Sequence, residues 1–221
     1  MLTPIRKDKR DFFIRKLRQW FKKNGRTYPW RRTKDPYKIL VSEFLLQQTN
    51  ADLALAAYKQ FIKDYPTPAS LAKADVRHLR KLIAPIGLSY RAGRLKTIGK
   101  QIVSNFNGKV PHLRNELLKL HGVGLYMSNA VLCFAYEEAV PILDTNTIRI
   151  FARVFGIVSN HTRPRTDRSL EKQMSDYLPN HGIRDFNYAL LDFGALICTT
   201  KTPRCRSCPI NKKCLYFRAV Y

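Results

Sequence analysis

The sequence predicts an all-α protein. Apolar residues recur at helical spacing along most of the chain. No run alternates polar and apolar residues as a half-buried strand does. Stop signals such as Asn24-Gly25, Pro66 and Pro85-Ile86-Gly87 separate the periodic stretches. The first helix runs from Asp11 to Lys23 and brings Phe13, Leu17, Trp20 and Phe21 toward one face. Pro36 to Gln48 is the second, with Tyr37, Leu40, Val41, Phe44 and Leu45 as its stripe. Asn50 or Asp52 caps a third helix through Leu55, Tyr58 and Phe61. Short helices follow at 70–74 and 76–83, then a turn at Pro85-Ile86-Gly87 and a helix from Tyr90 to Asn105. Arg114–Leu120 and Leu125–Tyr136 form a pair joined by His121-Gly122-Val123-Gly124. Thr145–Phe155 follows Pro141, His161–Arg168 is a basic loop, and Tyr188–Ile197 is the last long helix.

Composition narrows the class of partner. Among 221 residues, 40 Lys and Arg face 16 Asp and Glu, a formal charge of +24. With 45% hydrophobic residues and 11% aromatics the chain has material for a packed core, which excludes a disordered basic tail. A compact body at this charge repels itself, so a polyanion such as nucleic acid is the expected partner, with simple solubility as the plain alternative. Met1 to Lys23 interleaves charges with aromatics, and no run approaches the roughly 18 apolar residues of a spanning helix. The expectation is a soluble protein of a reducing compartment, cytoplasmic and nucleoid-associated, without membrane contact or disulfides.

Two segments carry chemistry. In Leu120-His121-Gly122-Val123-Gly124 the glycines permit a tight turn at a helix start, where backbone N–H groups and the helix dipole suit a phosphate; an ordinary inter-helix turn has the same look. Past it, Asp144 opens a helix, either as an N-cap or as a carboxylate aimed at a developing positive charge, and alone the cap is the better reading. Cys198, Cys205, Cys208 and Cys214 stand in the pattern C-x6-C-x2-C-x5-C, able to hold a [4Fe-4S] cube or a tetrahedral zinc. A zinc ribbon would use two CxxC pairs, and one is present. Lys201, Arg204, Arg206, Lys212 and Lys213 interleave the loop and suit a phosphate backbone. Cys133, on an apolar helix face, reads as core.

The hairpin, the apolar helix after it, and Pro141 followed by Asp144 resemble, in that order, the helix-hairpin-helix DNA glycosylase superfamily. The cysteine spacing is similar to the iron–sulfur loop of its endonuclease III and MutY members. Gly25-Arg26 with Pro29-Trp30-Arg31, the run Asp35–Thr49 and the run Phe186–Cys198 extend the likeness over nearly the whole chain. Four departures qualify it. His121 stands where the hairpin usually has proline. Tyr126 stands where bifunctional endonuclease III relatives carry a Schiff-base lysine, so strand cutting by β-elimination is expected to be weak or absent. Leu88 replaces an aromatic common in MutY proteins. The sequence ends seven residues after Cys214, whereas MutY continues into a domain that inspects 8-oxoguanine. These features look like the archaeal-type mismatch-specific thymine DNA glycosylases, which remove T or U opposite G.

What the resemblance implies is specific. The expected architecture is two helical domains flanking a DNA-binding cleft, 30–132 with the hairpin and 1–29 plus 133–221 with a [4Fe-4S] loop. Asp144 would stabilise the oxocarbenium-like sugar, Glu43 would donate a proton or hold water, and Tyr126 would line the pocket. Gln48 would wedge into the duplex, with Gln47, Thr49 and Asn50 near the widowed guanine. Gly122, Val123 and Gly124 would hold phosphate, with a monovalent cation at the hairpin and help from Arg149 and Arg153. Cys198, Cys205, Cys208 and Cys214 would ligate the cluster. The partner would be mismatched double-stranded DNA, the next enzyme an AP endonuclease, and the protein a monomer. Rival readings are a MutY-type adenine glycosylase and a non-catalytic iron–sulfur DNA-binding protein.

Overall fold

The structure is a computed structural model and describes residues 7–87 and 89–221; Leu88, singled out above, lies outside the described residues. Every regular element among the described residues is helical. Contacts divide the chain into two units, one of Tyr28–Tyr136 and one combining the chain before residue 28 with Glu137–Tyr221. These edges differ by a few residues from the expected limits at 30 and 132. Tyr28 stacks on Trp30 at 4.7 Å and bonds Asp52, and one unbroken helix carries the chain on to Tyr136.

In the second of these units α1 (Lys7–Asn24) begins four residues before the expected Asp11 and buries Phe13, Ile14 and Leu17. The unit of Tyr28–Tyr136 holds α2 to α8. Asp35 caps α2 (Pro36–Leu46) by accepting from the N–H groups of Tyr37 and Lys38, with Pro36 in the first turn, where no N–H is needed. Asn50 caps α3 (Ala51–Asp64). α4 (Pro68–Ala72) opens on a Thr67–Ser70 capping box, and Asp75 caps α5 (Val76–Ile83). Turns at Ala84–Ile86 and Ser89–Arg91 lead to α6 (Ala92–Asn105). The helix expected over 114–120 is shorter: α7 is Arg114–Leu117. Beyond it Lys119 N–H bonds the Glu116 carbonyl and Leu120 N–H that of Leu117, three-residue spacings that tighten the chain toward the hairpin. α8 (Leu125–Tyr136) buries most of its length, Cys133 included, and packs on α2.

The remaining elements return to the unit of α1. α9 (Thr145–Phe155), α11 (Ile183–Leu196) and α1 enclose a core of Phe13, Leu17, Ile150, Phe151, Phe186, Leu190 and Phe193. α11 starts five residues before the expected Tyr188. Gly182 takes up the left-handed backbone at its start, so the turn-like Pro179-Asn180-His181-Gly182 ends sooner than its composition implies. Two further helices are present that the sequence pattern does not announce. α10 (Arg168–Ser175) is capped by Asp167 and buries only Leu170, Glu171 and Met174, too thin a stripe to stand out among charged neighbours. α12 (Leu215–Val220) follows the cysteines.

Candidate active site

In the unit of Tyr28–Tyr136, α2 presents Glu43 at 4% exposure, one turn before its end at Leu46. There the chain leaves helical geometry. Gln47 is the C-cap, and Gln48 takes φ +58, a left-handed backbone uncommon for a residue with a Cβ. Gln48 and Asn50 are exposed. Their neighbours are committed inward: Gln47 Nε2 lies 2.8 Å from Met127 Sδ, and Thr49 Oγ1 donates to the Ile86 carbonyl at 2.9 Å. Asn50 Oδ1 accepts from Asp52 N–H as the α3 cap.

The hairpin lies in the same unit. Gly122 has φ +78, which explains a glycine there; a Cβ would meet nothing closer than a Phe44 ring carbon at 3.7 Å, so backbone conformation and not space makes the demand. His121 N–H bonds Gln101 Oε1 at 2.7 Å, tying the turn to α6. Val123 N–H donates to the Leu120 carbonyl at 3.0 Å, so of the expected phosphate donors it is spent within the turn. The N–H groups of Gly122 and Gly124, both exposed, make no hydrogen bond to the described residues. Tyr126 is partly buried in the first turn of α8.

Asp144 belongs to the other unit. It is the N-cap of α9, and its carboxylate accepts from Thr147 N–H at 2.7 Å and from Asn146 Nδ2 at 3.0 Å, while Thr147 Oγ1 accepts from the Asp144 N–H at 3.1 Å. This is a full capping box, so cap and candidate catalyst are one side chain. Burial pushes its pKa above the usual Asp value, against the pull of hydrogen bonds from Thr147 and Asn146. Asn146 is itself fixed. Its Oδ1 accepts from Arg149 at 2.8 Å, and the same guanidinium bonds the Gly194 carbonyl and the Cys198 carbonyl, each at 2.8 Å. Gly194 is glycine because a Cβ would fall 2.4 Å from Asn146 Cβ.

That geometry corrects one expectation. Arg149 and Arg153 do not project as phosphate contacts. Arg153 bonds the Thr199 and Thr200 carbonyls at 2.6 and 2.9 Å, lies 3.6 Å from Cys198 Sγ and stacks over Tyr216. Both are spent fastening the start of the cysteine loop to α9, a use invisible without the fold. Of the loop cations, Lys213 pairs with Asp8 at 2.7 Å, while Lys201, Arg204, Arg206 and Lys212 are exposed.

All five cysteines are free thiols. Burial, then the proximity of Cys214, Cys198 and Cys205, pushes the Cys208 thiol up to about 12. Cys205 is raised by burial and by Cys198 and Cys214, with Arg153 opposing. The four thiols of the loop are thus within electrostatic reach of one another. Among the described residues no three His, Cys, Asp or Glu side chains close on a single metal ion.

A sequence profile described as the HhH-GPD superfamily base excision DNA repair protein matches residues 41–176. The chain belongs to the HhH-GPD superfamily. It is 38% identical over 205 residues to the thymine/uracil-DNA glycosylase of Pyrobaculum aerophilum, covering 90% of this chain and 89% of that one. A solved structure of a thermostable thymine-DNA glycosylase superposes with a TM-score of 0.89 at 33% identity, covering 96% of this chain and 98% of that one. The adenine DNA glycosylase of Buchnera aphidicola (subsp. Schizaphis graminum) is 33% identical over 207 residues, 93% of this chain and 60% of that relative. The HhH-GPD match takes in the second half of α2 with Glu43, the hairpin and Asp144. Among the described residues no helix is long and apolar enough to cross a membrane.

Proposed function

We propose that this HhH-GPD protein is a monofunctional DNA glycosylase that removes thymine or uracil opposite guanine in double-stranded DNA, leaving an abasic site for an AP endonuclease. The observation that carries the reading is Asp144: a partly buried carboxylate, locked by a capping box, in a chain similar to thymine/uracil-DNA glycosylases over nine-tenths of its length. Held in a fixed, partly desolvated position, its charge acts more strongly on a cationic sugar than it would in water and needs no reorganisation as that charge develops.

The target nucleotide must leave the stack first, which costs a few kcal/mol and least at a mismatch. Exposed Gln48 fills the gap, with Asn50 beside the widowed guanine. The N-glycosidic bond then breaks with its electron pair going to the base. Asp144 stabilises the oxocarbenium-like sugar and orients the water that adds to it. Glu43, deep on α2, donates the proton to the departing base or holds the water. Tyr126 offers no amine, so no Schiff base forms at that position. Backbone phosphate is held by the N–H groups of Gly122 and Gly124, with a monovalent cation sharing its charge, and by exposed Lys201, Arg204, Arg206 and Lys212. The protein acts as a monomer, nucleoid-associated in the cytoplasm.

Cys198, Cys205, Cys208 and Cys214 would hold a [4Fe-4S] cluster. The donor set fits in chemistry: four thiols of one loop lie within electrostatic reach of one another, the ligand type and number such a cluster takes. When bound, the cluster supplies a cross-link for the loop; base excision itself transfers no electrons.

Single-turnover excision on duplexes carrying T·G, U·G, A·G and A·8-oxoguanine, followed by alkaline cleavage at abasic sites, tests the assignment. Release from T·G and U·G is expected. Release from the adenine pairs alone favours the second reading, an adenine glycosylase, which the similarity to such enzymes keeps in view. No release from any duplex, with binding retained, leaves a DNA-binding protein only. Borohydride is expected to trap little covalent complex.

A further inference from the structure

Arg91 ends the short turn before α6 and is 5% exposed. A guanidinium leaves water only at a cost, and no carboxylate among the described residues pairs with it. Its Nη1 donates instead to two main-chain carbonyls at the end of α2, those of Phe44 (3.3 Å) and Gln47 (3.1 Å). Carbonyls there lack intrahelical partners and lie at the negative end of the helix dipole, so a cation is well placed. Its Nε is buried without a partner, and the Tyr90 ring lies 5.0 Å away. An apolar side chain could fill this position without burying a charge, so the reason for arginine lies in what it holds.

What it holds is the chain next to Gln48. Gln47 is tied through its carbonyl to Arg91, and Thr49 is tied through its hydroxyl to the Ile86 carbonyl. Both ties run to the segment between α5 and α6. Between them Gln48 alone is exposed, in a left-handed backbone uncommon for a residue with a Cβ. We propose that Arg91 is a positioning residue for the wedge: it clamps the end of α2 so that Gln48 stands out from the surface already shaped to enter a duplex. This rests on the glycosylase reading, in which Gln48 fills the gap left by the flipped nucleotide.

The test compares Arg91→Met and Arg91→Lys with the unmodified protein on two duplexes, one with T opposite G and one with T in a single-nucleotide bulge, where no partner must be displaced. Hydrogen exchange across residues 44–50 and thermal melting are recorded alongside. Arg91→Met is expected to slow T·G excision about tenfold and bulge excision less than about threefold, with faster exchange in 44–50, the loss of a charged hydrogen-bond pair setting the scale. Arg91→Lys, which keeps the charge but not the fork, should fall between. Equal losses on both duplexes, or none on either, overturn the proposal. Should Arg91→Met not fold, the lysine variant decides by the same ratio. An unmodified protein inactive on both duplexes sinks the glycosylase reading and this inference with it; an active one with a uniform loss sinks this inference alone.

Discussion

The N-terminus of α9 and the C-terminus of α2 each place a candidate functional residue, by opposite means. At α9 the sequence supplies its own closure. Asp144 and Thr147 satisfy each other's main-chain N–H groups, and Asn146 fixes the second carboxylate oxygen. At α2 the closure is borrowed. The helix stops at Leu46, and its last carbonyls are held by an arginine that is far along the chain. The first arrangement fixes a carboxylate where it can act on a charge. The second pushes a side chain outward through a strained backbone. A group that must not move is built on a cap; a group that must protrude is built on strain held from elsewhere.

Replacing the reactive group at the capped end should have the largest effect. Asp144→Asn keeps the volume and the cap, because its amide oxygen still accepts from Thr147, so mismatch binding should persist while single-turnover excision falls by about 10²–10³-fold. Wild-type excision would remove Asp144 from the mechanism. At the strained end, Gln48→Gly should separate two quantities. Glycine relieves φ +58, so the protein should gain roughly 1 kcal/mol in denaturant unfolding, while losing the wedge should slow T·G excision about tenfold. A loss of both stability and rate would mean that Gln48 is held by contacts and not strained. Gly122→Ala makes the converse change at φ +78. It should cost about 1 kcal/mol and weaken duplex binding several-fold, read by titration at fixed salt.

The two ends also differ in how far the sequence exposes them. The α9 cap was legible: Pro141 and Asp144 before an apolar stripe are local signals, and the helix 145–155 is observed with those bounds. The α2 end was legible in its residues, Gln47 to Asn50, but not in its support, since nothing local links Gln47 to Arg91. The same limit explains Arg149 and Arg153. Basic residues on a helix in a chain of +24 read as phosphate contacts, and only the fold shows their hydrogen bonds to the carbonyls of 194 and 198–200. α10 escaped because Leu170 and Met174 are its only apolar core residues, though Asp167 was a usable cap signal. The cysteine pattern was plain, while the coupling of that loop to Asn146 through Arg149 depends on a 49-residue separation.

That coupling supplies the smallest and most discriminating test. Burial raises the Asp144 pKa, and the Asn146 hydrogen bond opposes it. Excision needs the ionised form, so its acid limb should sit above the ordinary Asp value and rise in proportion to the protonated fraction being lost as pH increases. Asn146→Ala removes a bond that favours the charged form. The folded pKa should therefore move further up, and the acid limb with it, by under about one pH unit, with the plateau rate at high pH largely kept. The stability sign is opposite. With a raised folded pKa, ionising Asp144 costs stability as pH rises through that pKa, so Asn146→Ala should destabilise the protein more at neutral than at acid pH. Arg149→Met loosens Asn146 without touching Asp144, and should shift the same limb in the same direction by less. A plateau loss with an unmoved limb would instead place Asn146 among the groups that contact the substrate, and would leave the carboxylate's ionisation to burial and Thr147 alone.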